Sequence, residues 1–96
     1  MQRHADRQQL RLLGGVYGLV IKRNAVVENA LILVQRNIEV VSESGLRTEI
    51  NDVASLLKEE VGTLERGDKL EIRGEYFEIS GLLSDDGFVV KVLIRG

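Results

Sequence analysis

The last third of the chain, from Lys69 to Arg95, alternates apolar and polar residues almost without a break. Leu70 and Ile72 are interleaved with Lys69, Glu71 and Arg73, and Phe77 and Ile79 with Tyr76, Glu78 and Ser80. In the final run, FVVKVLIR, Phe88, Val90, Val92 and Ile94 fall on one side. A period of two matches the pleat of a strand, whose successive side chains point to opposite faces, and does not fit a helix. Gly74-Glu75 and Ser84-Asp85-Asp86-Gly87 interrupt the alternation with residues that suit tight turns. The pattern predicts a three-stranded antiparallel meander with one apolar face.

That face needs a cover, and 96 residues supply one domain from which to make it. Upstream, VYGLVIKR (16–23) and ENALILVQRN (28–37) are two more β-rich runs, joined by Asn24-Ala25-Val26-Val27, which predicts a second hairpin. Between 38 and 52 the sequence breaks into IEVV, SESG and LRTEI ahead of Asn51-Asp52 and reads as short strands around an exposed acidic loop at Ser42 to Gly45. VASLLK admits two readings. It is either a strand or the start of a helix capped by Asn51 or Asp52, with Val53, Leu56, Leu57 and Val61 at helical spacing. HADRQQLRLL consists of helix formers and ends at Gly14-Gly15, a natural stop. A helix this short is marginal alone, so residues 1–14 either pack on the β-domain or form a loose arm. The expected fold is all-β. It is a small antiparallel β-barrel or sandwich of five to seven strands over 15–96, with a C-terminal β-meander and a short N-terminal helix or flexible arm.

The core has to be aliphatic, because the chain holds two Phe, two Tyr and no Trp. The absence of Cys excludes disulfides and thiolate metal sites and fits a reducing compartment. The basic N-terminus has no long apolar run behind it, so neither a signal peptide nor a membrane span is expected, and the chain reads as a soluble intracellular protein. A net charge of −2 conceals an asymmetry: residues 1–24 carry five basic side chains against Asp6, and 25–96 carry eight basic against fourteen acidic. An acidic body repels phosphate backbones. A nucleic-acid role would rest on Arg3, Arg7 and Arg11 alone, with no aromatic platform for stacking.

Residues for catalysis do not assemble. The sole histidine, His4, has no relay around it, and no phosphate loop, dinucleotide fingerprint or metal-ligand spacing occurs. Asp85-Asp86 and Glu59-Glu60 read as solvated turn residues rather than acid–base pairs. Arg66-Gly67-Asp68 leads directly into a strand, so it reads as a corner and not as a receptor-binding tip. The expectation is a non-enzyme without cofactor or metal, whose function lies in its surfaces.

The ordered set Val61, Leu64, Arg66-Gly67-Asp68, Leu70, Ile72, Gly74, Phe77, Ile79, Asp85-Asp86-Gly87 and a closing apolar strand resembles the head-tail joining (tail attachment, or head completion) proteins of long-tailed bacteriophages, most nearly the lambda type. There, a segment L-x-R-G-D-x-L-x-I-x-x-x-x-F-x-V precedes a D-D-G turn and the last strand. The resemblance spans residues 53–95 and favours VASLLK as a strand followed by a turn at Glu59 to Glu65. It implies a small β-barrel or sandwich that forms a ring in the virion neck, between the portal/connector of the DNA-filled head and the tail terminator or tail tube. It also implies a free monomer whose N-terminal arm and internal loop stay loose until docking, found in the host cytoplasm during assembly. Partner contact then falls to Arg3, Arg7, Leu10, Arg11, Leu12 and Leu13 in the arm and to Glu39, Glu43, Arg47, Glu49 and Asp52 in the internal segment. Gly67, Asp68, Gly74, Asp85, Asp86 and Gly87 are expected to form structural turns. The alternative is a small β-barrel binding module for nucleic acid or protein, unrelated to phage.

Overall fold

The computed structural model describes residues 2–41 and 44–96, the side chains of 2–6 excepted. Helix α1 (Gln2–Leu12) is followed by strands β1 (Val16–Ile21), β2 (Val26–Val41) and β3 (Thr48–Leu57), the short helix α2 (Lys58–Val61), and strands β4 (Lys69–Ile72), β5 (Glu75–Asp85) and β6 (Val89–Arg95). All pairings are antiparallel, in the order β1-β2-β3-β6-β5-β4, and β4 closes on β1. The fold is therefore two three-stranded meanders joined edge to edge into a closed barrel. Closure removes the free edges that an open sheet of this size would expose.

Alternation sets what lies inside. Ala30 and Ile32 from β2, Ala54 and Leu56 from β3, Leu70 and Ile72 from β4, Phe77 and Ile79 from β5, and Val90, Val92 and Ile94 from β6 form one buried cluster with Val20. Val61 and Leu64, on α2 and the loop after it, join the cluster. Each Val, Leu, Ile or Phe among them contributes about 1.5–3 kcal/mol on burial. VASLLK is a strand, and only one turn of helix follows it at Lys58–Val61.

A second, smaller cluster lies outside the barrel. Leu31, Leu33 and Leu57 point outward from β2 and β3, and Leu10 of α1 covers them. This explains why residues 30–33 are buried without alternation: one face looks into the barrel and the other is under the helix. The close fit depends on Gly15, where a Cβ would stand 2.7 Å from the Leu10 carbonyl oxygen.

Several turns fall one or two residues from where the sequence placed them. The β1–β2 turn is Lys22 to Ala25, closed by the Lys22 N–H to the Ala25 carbonyl, and Val26 and Val27 already belong to β2. The β4–β5 turn is Arg73-Gly74, both at positive φ (53° and 83°), as a two-residue hairpin turn requires. Ser84 and Asp85 belong to β5, and Phe88 precedes β6.

The largest departure concerns 38–52. IEVV is no separate short strand but the end of the 16-residue β2, and LRTEI leads into β3. Gln35 pairs with Val53 and Ile38 with Asn51, so Arg36 and Asn37 together oppose Asp52 in a β-bulge. Asn37 takes φ 59°, and Asn29 takes φ 56° at a matching bulge against β1. Asparagine tolerates this left-handed conformation better than most residues. Beyond the bulge, 38–41 and 48–51 pair only with each other. They form a two-stranded arm that extends past the barrel.

Candidate interaction surfaces

Two regions carry the residues that the sequence assigns to partner contact, α1 and the β2–β3 arm. In α1 the residues divide. Arg7 is committed to the fold: its Nη2 donates to Glu60 Oε2 at 2.7 Å, while Glu60 Oε1 accepts the Leu31 N–H at 3.0 Å. Glu60 thus stands in for backbone that β3 no longer supplies beyond Leu57. With a side chain only 16% exposed it is no solvated turn residue, which corrects that reading of Glu59-Glu60. The hydrogen bond to Glu60 also raises the Arg7 pKa above its usual value.

Leu10 is likewise engaged within the fold. It is 6% exposed and forms the lid of the outer cluster, because the helix docks through it. Arg11, Leu12 and Leu13 face solvent, with Leu12 82% exposed. Arg7, Gln8, Arg11 and Leu12 line an open groove of about 450 Å³. A second cleft, of about 280 Å³, runs between α1 and the outer faces of β2, β3 and β6. The side chain of Arg3 lies outside the described residues.

In the arm, Glu39 and Glu49 are exposed on paired strands, not in a loop. Register places Glu39 opposite Ile50 and Val41 opposite Thr48, so these four share one face. Val41, Leu46 and Ile50 on this arm are among the most exposed large apolar residues of the protein, at 62%, 86% and 59%. The sequence reading passed over them. The available signal was that both neighbours in Val40-Val41 are apolar, which leaves one of them outward whichever way the strand is set. Arg47 is exposed near the tip, and Glu43 lies outside the described residues.

Asp52 is engaged within the fold. Its Oδ1 accepts the Asn37 N–H at 3.1 Å and its Oδ2 lies 3.3 Å from Arg36 Nη1, so it braces the bulge from which the arm departs. Arg36 also reaches Glu75 and stacks over the Phe77 ring, 5.4 Å from its centroid, at one end of the barrel. The structure does not bring α1 and the arm together: they occupy opposite ends of the β2–β3 pair.

The turn residues are organised by their own side chains. Asp68 is buried, and its Oδ2 accepts the Glu65 N–H at 2.9 Å while its N–H donates to the Glu65 carbonyl. Gly67 sits at φ 97° and donates to the Ile79 carbonyl. Arg66-Gly67-Asp68 is thus a corner tied to β5. At the β5–β6 loop, Asp86 Oδ1 accepts from Val89 and Phe88, and Asp85 pairs with Lys58 and accepts from Gly87. These bonds hold both carboxyl groups below the usual carboxylate range.

Among the described residues no group of three metal-ligating side chains converges, and no helix is long and apolar enough to cross a membrane. No family model and no curated protein matches the chain.

Proposed function

We propose that this chain is a non-enzymatic structural adaptor of a phage or prophage virion, joining the portal/connector of the DNA-filled head to the tail. The observation that carries this reading is a closed, self-sufficient barrel from which one ribbon projects with exposed apolar residues. A barrel with no open edge does not need the arm for its own core, and Val41, Leu46 and Ile50 are covered by nothing among the described residues. The residues behind the phage resemblance form the corner and the meander β4–β5–β6, the frame that holds the arm rather than its contact surface. An isolated two-stranded ribbon is marginal in water, so ordering the arm on a completed connector delays tight binding until that connector exists. The protein then acts in the virion neck and, before assembly, in the host cytoplasm.

The nucleic-acid alternative is weakened by the Arg7–Glu60 pair, which removes one of the three basic side chains on which it rested.

The test is a joining assay with filled heads and tails from a phage lacking this chain. Added purified protein is expected to yield infectious particles, and a variant with 39–49 replaced by a two-residue turn is expected to yield none while keeping its β-rich circular dichroism. Equal yields with and without the protein would remove the adaptor reading.

A further inference from the structure

Two polar side chains are buried among the described residues, Asp68 and Ser55. Asp68 has its partner in the Glu65 N–H, whereas the Ser55 hydroxyl, on a residue 2% exposed, makes no hydrogen bond among the described residues. A buried hydroxyl that the fold leaves unpaired is costly, and such groups are satisfied as a rule. Ser55 stands on the outer face of β3, opposite Leu33 of β2 and Lys91 of β6. What it lines is the cleft of about 280 Å³ beside α1.

Leu10, Leu13, Leu33 and Val89 give that cleft an apolar lining, and its charged lining consists of Lys91 and Asp86. Residues directly opposite on paired strands have Cβ atoms about 4.5–5.5 Å apart, so the Lys91 stem rises beside the Ser55 hydroxyl. Asp86 stands beside Val89, whose N–H its Oδ1 accepts at 2.7 Å, and Lys91 is the next residue but one along β6. At a strand's rise that separation is about 7 Å. The Lys91 ammonium has no ion pair or hydrogen bond among the described residues, with Asp86 or with any other group.

A cleft with an apolar lining, a free hydroxyl and two unpaired charges of opposite sign complements a ligand that carries an aliphatic body, a carboxylate and an ammonium. A purely apolar occupant would leave Ser55 unpaired, a simple carboxylate would lie against Asp86, and a simple amine against Lys91. The volume falls just below the range of roughly 300–1,000 Å³ usual for small-molecule sites, so the occupant is small. We propose that the cleft between α1 and the β3–β6 pair binds an apolar amino acid or dipeptide as its zwitterion. The carboxylate lies on Lys91 and the Ser55 hydroxyl, the ammonium on Asp86, and the aliphatic side chain on Leu10, Leu13 and Leu33. The site uses no residue of the arm and does not rest on the adaptor reading.

The test is an NMR titration of the isotope-labelled full chain with leucine and, separately, with leucyl-leucine, each taken into the millimolar range. Saturable shifts are expected at the amides of Ser55, Val89 and Lys91, with those of 38–41 and 48–51 unmoved. The ligand that saturates at the lower concentration tells free amino acid from dipeptide. Isocaproate, which is leucine without its ammonium, and isoamylamine, which is leucine without its carboxylate, are expected to bind about tenfold more weakly or less. Ser55→Ala and Lys91→Gln are each expected to raise the Kd about tenfold. Lys91 is exposed, so its variant keeps the fold and tests the site even if Ser55→Ala does not. No saturable shift with either ligand overturns the proposal, as does isocaproate binding as tightly as leucine or an unchanged Kd in Lys91→Gln.

Discussion

Strand β2 passes through two environments in one continuous run. From Ala30 to Leu33 it is buried on both sides, by the barrel interior and by α1, and from Arg36 onward nearly every residue is exposed or half-buried. The bulge at Arg36-Asn37, braced by Asp52, is the boundary. Apolar side chains occur on both sides of it, but Ile32 and Leu31 are fixed by contacts on every side, and Val41 and Ile50 touch solvent. The same residue types therefore stabilise the fold in one half and stand exposed to solvent in the other.

The contrast is tested most severely at Leu31. Leu31→Ala empties the space between Leu10, Leu33 and Leu57, and is expected to cost about 2–5 kcal/mol, read as a lowered urea midpoint. It should also loosen α1, since Leu10 loses its seat. A deletion of residues 1–13 is accordingly expected to destabilise the barrel by uncovering the same cluster, so truncation is a poor way to isolate the role of the helix.

Glu60 comes next. Glu60→Ala leaves the Leu31 N–H and the Arg7 guanidinium without their acceptor, for an expected loss of about 1–3 kcal/mol in the same titration. Asp68→Ala removes the carboxylate bonded to the Glu65 N–H, and a loss of about 1 kcal/mol is expected. A larger loss of partner binding than of stability in that variant would reinstate Arg66-Gly67-Asp68 as a recognition element.

How far these features were readable differs between the two halves of the molecule. The meander, the hairpin upstream and the helix stop at Gly14-Gly15 follow from period-two alternation and turn chemistry, both local properties. The arm was not readable in the same way, because Asn37 looked like the end of a strand. In the fold it is a bulge within one, and the difference lies in what Asp52, fifteen residues on, supplies to its N–H. The burial of Leu10 and of Glu60 is hidden for a related reason. A leucine on a short basic helix and a glutamate in an acidic pair carry no mark of burial, which arises only when closure of the barrel brings α1 and α2 against β2. Arg11, Leu12, Leu13, Glu39 and Glu49 are exposed, and the joining assay tests their assignment to partner contact.

Acid is expected to act on the barrel's loop end more than on the arm. Asp86, through the Val89 and Phe88 N–H groups, and Asp85, through Lys58 and the Gly87 N–H, are held below the usual carboxylate range. A carboxyl group lowered in the folded state contributes stability that is present above its unfolded pKa and lost as pH falls through the folded one. The thermal midpoint should therefore drop as pH is taken below about 4. Asp85→Asn with Asp86→Asn should flatten that part of the profile, and an unchanged slope would show that other carboxylates govern it.

The smallest expected effect is the most informative about the arm. Val41→Thr with Ile50→Thr keeps β-branched residues on a paired ribbon and alters only surface exposed to water, so stability should stay within about 0.5 kcal/mol of the parent. Amide exchange should show the same division, with 38–41 and 48–51 exchanging ahead of 30–33 and 53–57, because the ribbon opens without disturbing the barrel. If the double variant instead destabilises the protein as much as Leu31→Ala does, the arm is part of the core and its exposed side chains are not held in reserve. If stability is kept while head–tail joining is lost, the apolar face of the arm is a surface the fold does not use and the assembly does.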